Sequence, residues 1–268
     1  MSLDEKYNSL AVFIGGVKSA AVAFSGGVDS SFLCYAARET LGGNVIAVTV
    51  VSPMLPQSEI DSAKRTADLI GIKHILLSEE HIEEDVAANP RDRCYYCKKI
   101  EFGKIIDAAR ERGIEAVFDG SNTDDLNDWR PGLRALAELK VCSPLREAGL
   151  NKEEIRLLSK RFGLPTWNKP AFACLASRIP YGERIDRQKL SRVEKAEDTL
   201  RAEGFVQFRV RSHGDIARIE VAREERKRFF SEDVLDRVAG KIKEAGFLFA
   251  AFELEGYATG SLNRMGGN

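Results

Sequence analysis

The sequence of 268 residues contains no apolar run close to the ~20 residues that a membrane-spanning helix needs. Its net charge is only −1, so it lacks the overall positive charge that is typical of nucleic-acid-binding proteins. Its five cysteines are an odd number in a long chain, which argues against a disulfide framework. The start of the chain, with Asp4, Glu5 and Lys6, is not typical of a signal peptide. We therefore expect a cytoplasmic protein with no membrane partner, for which nucleic acid is not an expected ligand.

Strand-like and helix-like segments alternate in the first part of the chain. The predicted strands, which have the apolar character of strands covered on both faces, are 20–24, 44–51, 74–77 and 116–119. The predicted helices are 1–18, 30–41, 57–70, a segment that ends near 112, 133–139 and 151–162. This alternation predicts an α/β fold whose parallel sheet carries helices on both faces. Loops that follow the strands should then meet at one edge of the sheet, where ligands bind.

A different pattern begins near residue 186, where a helix is predicted to run to about 203. Residues 205–211 then alternate between apolar and polar side chains, as in a strand with one covered face. The alternation places Val206, Phe208 and Val210 on one face and Gln207, Arg209 and Arg211 on the other. Strands at 216–221 and 247–254 complete a smaller α+β unit. We predict two domains, 1–170 and 171–268.

A glycine-rich turn joins the first predicted strand to the first long helix after it. The turn consists of Ser25, Gly26, Gly27, Val28, Asp29 and Ser30. Glycines allow close approach of a ligand, and the helix N-terminus presents N–H groups to an anion. The spacing matches neither a Walker A loop nor a dinucleotide-binding G-x-G-x-x-G motif. The turn therefore predicts a phosphate-binding site, with an ordinary glycine-rich turn as the alternative.

Two cysteines have the spacing of metal ligands, and a third lies in a later loop. Cys94 and Cys97 form a Cys-x-x-Cys pair, and Cys174 lies in a proline-rich stretch that has the character of a functional loop. Three thiolates without an evident fourth ligand suit an iron–sulfur cluster with one open iron, although the residues alone do not name the metal. A redox pair, half of a zinc site and surface thiols are the alternatives. Cys34 and Cys142 lie in apolar segments and are predicted to be core residues.

Several stretches together resemble one family, the LarE-type ATP-dependent sulfur transferases, a branch of the PP-loop ATP pyrophosphatases. The matching stretches are 25–30, 93–98, 119–125, 130–132, 143–145, 173–178 and 209–211. The first of them resembles the PP-loop of the whole superfamily. The Ala-Cys-Leu-x-Ser-Arg stretch at 173–178 and the downstream Arg-x-Arg are more specific to the LarE-type branch. The resemblance spans about residues 15–262, and it implies an adenine nucleotide α hydrolase-like fold.

The resemblance implies a reaction in nickel-pincer nucleotide biosynthesis. LarE-type enzymes adenylate a carboxylate of pyridinium-3,5-dicarboxylate mononucleotide with ATP and Mg²⁺, and then replace the activated oxygen with sulfur. In one branch the enzyme's own cysteine, which corresponds to Cys174, gives up its sulfur and becomes dehydroalanine. In the other branch three cysteines bind a 4Fe–4S cluster that carries sulfide. Cys94, Cys97 and Cys174 together resemble the cluster branch, which implies sulfide or another sulfur donor as a partner. Relatives also imply a homo-oligomer.

Individual roles follow from this resemblance and from charge. Backbone groups and hydroxyls of the glycine-rich turn are predicted to bind ATP, with Gly120 and Asp124 from the loop after the fourth strand. Asp29 is predicted to orient Mg²⁺, or only to cap the helix. Arg209 and Arg211 are predicted to hold the substrate phosphate, with a solvated sheet face as the alternative. Cys174, Arg178 and Glu197 are the further candidate catalytic residues, and Glu220 is a weaker one.

Three other functions remain open at this stage. A tRNA thiolation enzyme also pairs a PP-loop with cysteines, but it needs an RNA-binding surface that the sequence does not indicate. Amide-forming PP-loop synthetases do not need Cys94, Cys97 and Cys174 together. A non-catalytic nucleotide-binding iron–sulfur protein would keep the fold without turnover.

Overall fold

The computed structural model describes residues 1–127, 131–170 and 173–258. The chain forms two compact units. The first contains Met1–His81 and Asp92–Phe172, and the second contains Ile82–Arg91 and Ala173–Asn268. The domain division at residue 170 stays a prediction. Across the described residues, no helix has both the length and the apolar character needed to cross a membrane.

Both units contain helices and strands. In chain order the helices are α1 (Leu3–Gly15), α2 (Val28–Leu41), α3 (Gln57–Ile70), α4 (Glu84–Ala87), α5 (Arg93–Arg110), α6 (Pro131–Glu138), α7 (Pro144–Glu147), α8 (Lys152–Arg161), α9 (Arg187–Ala202) and α10 (Glu232–Glu244). The strands are β1 (Ala20–Ala23), β2 (Val45–Val51), β3 (Lys73–Ser78), β4 (Ala116–Phe118), β5 (Phe208–His213), β6 (Ile216–Val221) and β7 (Phe249–Phe252).

The first unit is built on a parallel sheet, as predicted, and its strand order is β3-β2-β1-β4. A parallel bridge between Phe118 and Cys142 continues the sheet beyond β4. Val22 in β1 is in register with Phe118 in β4, so the loops after these two strands begin at the same level. The loops that follow β1 and β4 therefore meet at the carboxyl edge of the sheet, as the sequence predicts.

Both faces of this sheet are covered, because successive residues of β1 enter different cores. Val22 packs in one core with Leu10 of α1 and Phe32 of α2. Ala21 packs in the other core with Phe102 of α5. All five side chains are almost completely buried. This arrangement confirms the predicted α/β class and explains why β1 shows no alternation of polar and apolar residues.

The second unit contains a three-stranded sheet in which β5 and β6 are antiparallel and β6 and β7 are parallel. The prediction that a strand begins at 205 is wrong, because β5 begins at Phe208. The Val206 N–H and the Gln207 N–H donate to the Glu225 carboxylate instead of to a neighbouring strand. Val206 is accordingly exposed and does not share the apolar face on which the alternation placed it.

Candidate active site

The glycine-rich turn lies between β1 and α2, where α2 begins at Val28 directly after Gly27. Among the described residues, no side chain caps the N-terminus of α2 at Gly27. The first N–H groups of a helix have no partner within the helix, so this terminus can bind an anion. The hydroxyl oxygens of Ser25 and Ser30 lie 3.1 Å apart beside it and can add donors.

Two glycines are required because the backbone is crowded on both sides of this turn. A Cβ on Gly26 would lie 3.0 Å from Cα and Cβ of Ala63 in α3, and Gly26 has a φ of +69°. A Cβ on Gly120, in the loop after β4, would lie 3.1 Å from the Ser30 backbone nitrogen. The turn is therefore held between α3 and the β4 loop, and larger residues at either glycine would displace it.

Asp29, in the first turn of α2, is held by a lysine from α8. Its Oδ2 lies 2.5 Å from Nζ of Lys152, while its buried Oδ1 has no hydrogen-bond partner among the described residues. Burial raises the pKa of the Asp29 carboxyl, and the Lys152 ammonium opposes that rise. An orphaned carboxylate oxygen at a phosphate-binding turn is suited to a divalent cation, because Mg²⁺ prefers oxygen ligands.

The loop after β4 is organised by Asp119, which the sequence analysis did not select. Its Oδ2 accepts hydrogen bonds from the N–H and the hydroxyl of Ser121, and its Oδ1 accepts a 2.5 Å hydrogen bond from the Ser143 hydroxyl. Asp124 is exposed, and its carboxylate accepts from the Lys152 backbone N–H at 2.9 Å. Asp119 thus shapes the loop, and Asp124 contributes to the start of α8.

A cavity of about 510 Å³ opens beside the turn in the first unit. It is lined by Ala23, Ser25, Gly27, Asp29, Ser30, Cys94, Lys98, Glu101, Phe102, Asp119, Gly120, Ser121, Asp125, Pro131, Gly132, Leu133 and Leu136. The structure thus brings five of the predicted nucleotide-binding residues and Cys94 to one cavity. Gly26, Val28 and Asp124 are not among its lining residues.

In the second unit, Arg178 fastens the segment that carries Cys174. Its Nε and Nη2 donate to the Glu197 carboxylate at 2.8 and 2.9 Å, and the Arg178 side chain is fully buried. Its Nη1 donates to the carbonyl oxygens of Ala173 and Cys174 at 2.5 and 3.0 Å. Arg178 and Glu197 therefore position the backbone around Cys174, which is itself half-buried.

Arg209 and Arg211 are buried, so they do not form a solvated sheet face. Nη2 of Arg211 lies 3.0 Å from the Glu220 carboxylate, and its Nη1 donates to the Ser177 carbonyl at 2.9 Å. Nη1 of Arg209 donates to the Phe208 carbonyl at 2.6 Å. Burial and the neighbouring Arg178 guanidinium lower the pKa of Arg209. Arg178 and Arg211, which both contact Ser177, are each paired with a buried glutamate.

Comparisons with known proteins agree with this geometry. Residues 17–163 match the family model described as asparagine synthase. The chain is 35% identical over 264 residues to the pyridinium-3,5-bisthiocarboxylic acid mononucleotide synthase of Lactiplantibacillus plantarum, covering 98% of this chain and 95% of that one. The chain belongs to the LarE-type PP-loop enzymes. A LarE-type enzyme is an ATP-dependent sulfurtransferase, so this chain is one as well.

Two further relatives show how far the resemblance extends. An uncharacterised protein of Synechocystis sp. is 42% identical over 264 residues, which is 98% of both chains. A tRNA-specific 2-thiouridylase of Pelobacter propionicus is 31% identical over 183 residues, covering 56% of this chain and 51% of that one. The likeness to LarE-type proteins thus spans both units, whereas the likeness to the thiouridylase covers only about half of each chain.

The cysteines of this LarE-type chain occupy different environments. Cys94 and Cys97 lie three residues apart in the first turn of α5, which places both thiols on one side of the helix. Cys94 is exposed and Cys97 is half-buried, so both thiols are accessible for ligation. Burial raises the pKa of the Cys34 and Cys142 thiols, which disfavours the thiolate that binds metals. Cys34 is fully buried in the core, as predicted, whereas Cys142 is only partly buried and packs against that core.

The predicted three-cysteine site stays a prediction. Cys94 and Cys97 belong to the first unit and Cys174 to the second. Within either unit, residues 1–127, 131–170 and 173–258 contain no group of three His, Cys, Asp or Glu side chains that could hold a metal ion. The Cys94–Cys97 pair has the spacing of two ligands of one metal or cluster.

Sequence reasoning missed two charged residues that line the cavity, Lys98 and Asp119. Lys98 follows Cys97 directly, and its Nζ lies 2.8 Å from the Glu101 carboxylate. Burial disfavours the charged form of Lys98, but its ion pair and hydrogen bond with the Glu101 carboxylate favour that form more strongly. The pKa of Lys98 is therefore raised, and its ammonium group stays charged. Asp119 ends the strand that carries the loop. Its position at the carboxyl edge of a predicted parallel strand was a signal that could have identified it.

Proposed function

We propose that this enzyme adenylates a carboxylate of pyridinium-3,5-dicarboxylate mononucleotide and converts it to a thiocarboxylate in nickel-pincer nucleotide biosynthesis. The observation that carries the proposal is the 35% identity, over 98% of the chain, to a synthase whose name states the sulfurated product. The cavity supports it, because it places a phosphate-binding turn and a cysteine side by side.

The first step forms an acyl-adenylate. A carboxylate oxygen of the substrate attacks the α-phosphorus of ATP, and the bond to the β-phosphate oxygen breaks to release pyrophosphate. Negative charge builds on the α-phosphate and on the leaving group, where the N–H groups at the start of α2 and the Ser25 and Ser30 hydroxyls can donate. Asp29 would hold Mg²⁺ through its orphaned Oδ1, and that ion would offset phosphate charge.

The second step exchanges oxygen for sulfur. Sulfide attacks the carbonyl carbon of the adenylate, and AMP leaves with the oxygen that linked it to the carbonyl. We propose that Cys94, Cys97 and Cys174 hold a 4Fe–4S cluster, which when bound supplies the sulfide from an open iron. Arg178 would keep the Cys174 segment in one conformation through its carbonyl contacts. Arg209 and Arg211 would bind the substrate phosphate, and their positions two residues apart on β5 support this role.

A tRNA thiolation function is the second candidate, since a thiouridylase is 31% identical over part of the chain. The full-length match to the synthase favours the mononucleotide, because the thiouridylase match covers only 51% of that relative. We also propose a cytoplasmic location, a homo-oligomeric state and a sulfur donor as partner, following the family.

The test is anaerobic turnover with ATP, Mg²⁺, the dicarboxylate mononucleotide and sulfide, followed by mass spectrometry of product and protein. We expect more than one thiocarboxylate per enzyme, with the mass of Cys174 unchanged. A single turnover with Cys174 lighter by the mass of H₂S would show instead that the cysteine gives up its own sulfur. Absence of product, together with pyrophosphate release that depends on transfer RNA, would favour thiolation of RNA.

A further inference from the structure

Lys169 contacts the PP-loop from the side of α3. Its Nζ lies 3.0 Å from the Gly26 carbonyl oxygen, 2.7 Å from the Glu59 carboxylate and 3.1 Å from the Ser62 hydroxyl. An ammonium group has three N–H donors, so these contacts use all of them. The Lys169 and Glu59 side chains are only 18% and 15% exposed, which limits competition from water. The carbonyl of Gly26 therefore has a fixed, charged partner.

This contact determines the direction of the next N–H group. In a trans peptide the C=O and N–H bonds point in opposite directions, and no described peptide bond is cis. Because the Gly26 carbonyl points toward Lys169, the N–H of Gly27 points away from it. Gly27 lines the cavity, whereas Gly26 is buried against Ala63. Apart from a long 3.4 Å contact with Ser25 Oγ, the Gly27 N–H is available to a ligand in that cavity.

A peptide between two glycines is unusually easy to rotate, because neither residue has a Cβ to restrict it. A loop with this sequence needs a contact that selects one orientation of the peptide. We propose that Lys169 is a positioning residue, which holds the Gly26–Gly27 peptide so that the Gly27 N–H donates to a phosphate of the bound nucleotide. The proposal goes beyond the proposed function, because it concerns the nucleotide phosphate and not the sulfur acceptor.

The test measures the affinity of the full-length protein for AMP and for adenosine by calorimetric titration. The two ligands differ only by the phosphate. Lys169→Met should weaken AMP binding by about 10- to 100-fold, the range expected for loss of a hydrogen bond to a charged group. Adenosine binding should be unchanged. Lys64→Met is the matched control, because Lys64 lies on α3 near the residues that Lys169 contacts but forms an exposed pair with Asp61. That variant should bind both ligands as the wild type does.

The amide resonance of Gly27 gives a readout that loss of charge alone would not move. In ¹⁵N-labelled protein, AMP should shift the Gly27 amide proton strongly in the wild type and weakly in Lys169→Met. If Lys169→Met does not fold, Glu59→Gln carries the test, because it removes the carboxylate that holds Lys169 in place. Equal loss of AMP and adenosine binding, or unchanged AMP binding, would overturn the proposal. Neither outcome depends on the identity of the sulfur acceptor.

Discussion

Asp29 in the first unit and Glu197 in the second are both carboxylates that face a cationic side chain, but their oxygen atoms are used differently. Glu197 accepts two hydrogen bonds from Arg178, and its Oε1 also accepts from the Val210 N–H. Asp29 has one contact to Lys152 and a buried oxygen without a partner among the described residues. A fully satisfied carboxylate holds structure together, whereas an incompletely satisfied one is available to a ligand. The two units therefore use buried charge for different purposes.

The largest expected effect concerns whether both units contribute to one metal site. Replacing any of Cys94, Cys97 or Cys174 by alanine should abolish iron binding in anaerobically prepared protein. The proposed cluster has only three protein ligands, and it needs all of them to stay bound. Cys142→Ala and Cys34→Ala should leave the iron content intact, since Cys34 lies in the core and Cys142 packs against it. Iron and sulfide analysis with electron paramagnetic resonance checks this. Full iron occupancy in Cys94→Ala protein would contradict the three-ligand site.

The next effect tests the structural role of Glu197. In Glu197→Gln the Arg178 guanidinium, which is fully buried, loses its countercharge. Leaving a buried charge uncompensated should lower the free energy of unfolding by about 3–5 kcal/mol. Urea unfolding followed by circular dichroism measures the change. Glu203→Gln is the control, because the Glu203–Arg237 pair is exposed and its loss should change the free energy by only about 0–1 kcal/mol. Similar effects in both variants would remove the distinction between the two carboxylates.

Asp29→Asn should have the opposite effect on stability. Because the pKa of Asp29 is raised in the folded state, protonation stabilises the fold, and that stability is lost as the pH rises through the folded-state pKa. At pH 7 the ionised group therefore costs stability, and Asn should increase the free energy of unfolding. The gain should disappear below about pH 4, where the carboxyl is protonated in both states. Unfolding curves at pH 7 and pH 4 test this sign.

The same variant should lose activity. Mg²⁺-dependent exchange of pyrophosphate into ATP should fall on the order of 100-fold, the scale of losing one electrostatic contact in an active site. Asp61→Asn is the control, since Asp61 lies on α3 and its contacts with Lys64 and Gln57 are exposed. An Asp29→Asn protein that is less stable at pH 7 and keeps its exchange activity would place Asp29 in the same class as Glu197.

Local sequence signals predicted the elements of the first unit well. The predicted helix 57–70 agrees with α3, because Gly71 adopts a left-handed conformation that ends it. Asn151 caps α8 as predicted, and Glu154 completes the reciprocal hydrogen bonds. The turn at 25–30 was recognisable because its strand, glycines and helix are adjacent in the chain. These features depend on residues that are close in sequence, which is why one sequence is enough to predict them.

Contacts between distant residues could not be predicted in the same way. Lys152 is 123 positions from Asp29, and nothing in the local pattern connects them. The alternation at 205–211 left a solvated sheet face as the alternative for Arg209 and Arg211, but Glu220 on the neighbouring strand neutralises Arg211 and allows it to be buried. The N–H groups before β5 are likewise taken by Glu225, which lies 18 or 19 positions away. In each case a tertiary partner overrode a local preference.

The smallest predicted effect separates two buried serines of the first unit. The Ser143 hydroxyl donates to Asp119 at 2.5 Å, whereas the Ser159 hydroxyl has no hydrogen-bond partner among the described residues. Ser143→Ala should lower the free energy of unfolding by about 1.5 kcal/mol, because it removes a hydrogen bond to a charged group and leaves an oxygen of Asp119 with less compensation. Ser159→Ala should be neutral or slightly stabilising, because an unsatisfied hydroxyl is removed from the core. Urea unfolding of both variants measures the difference. If both substitutions change the free energy of unfolding equally, the Ser143–Asp119 hydrogen bond contributes nothing to stability, and Ser121 is the contact that matters for the Asp119 carboxylate.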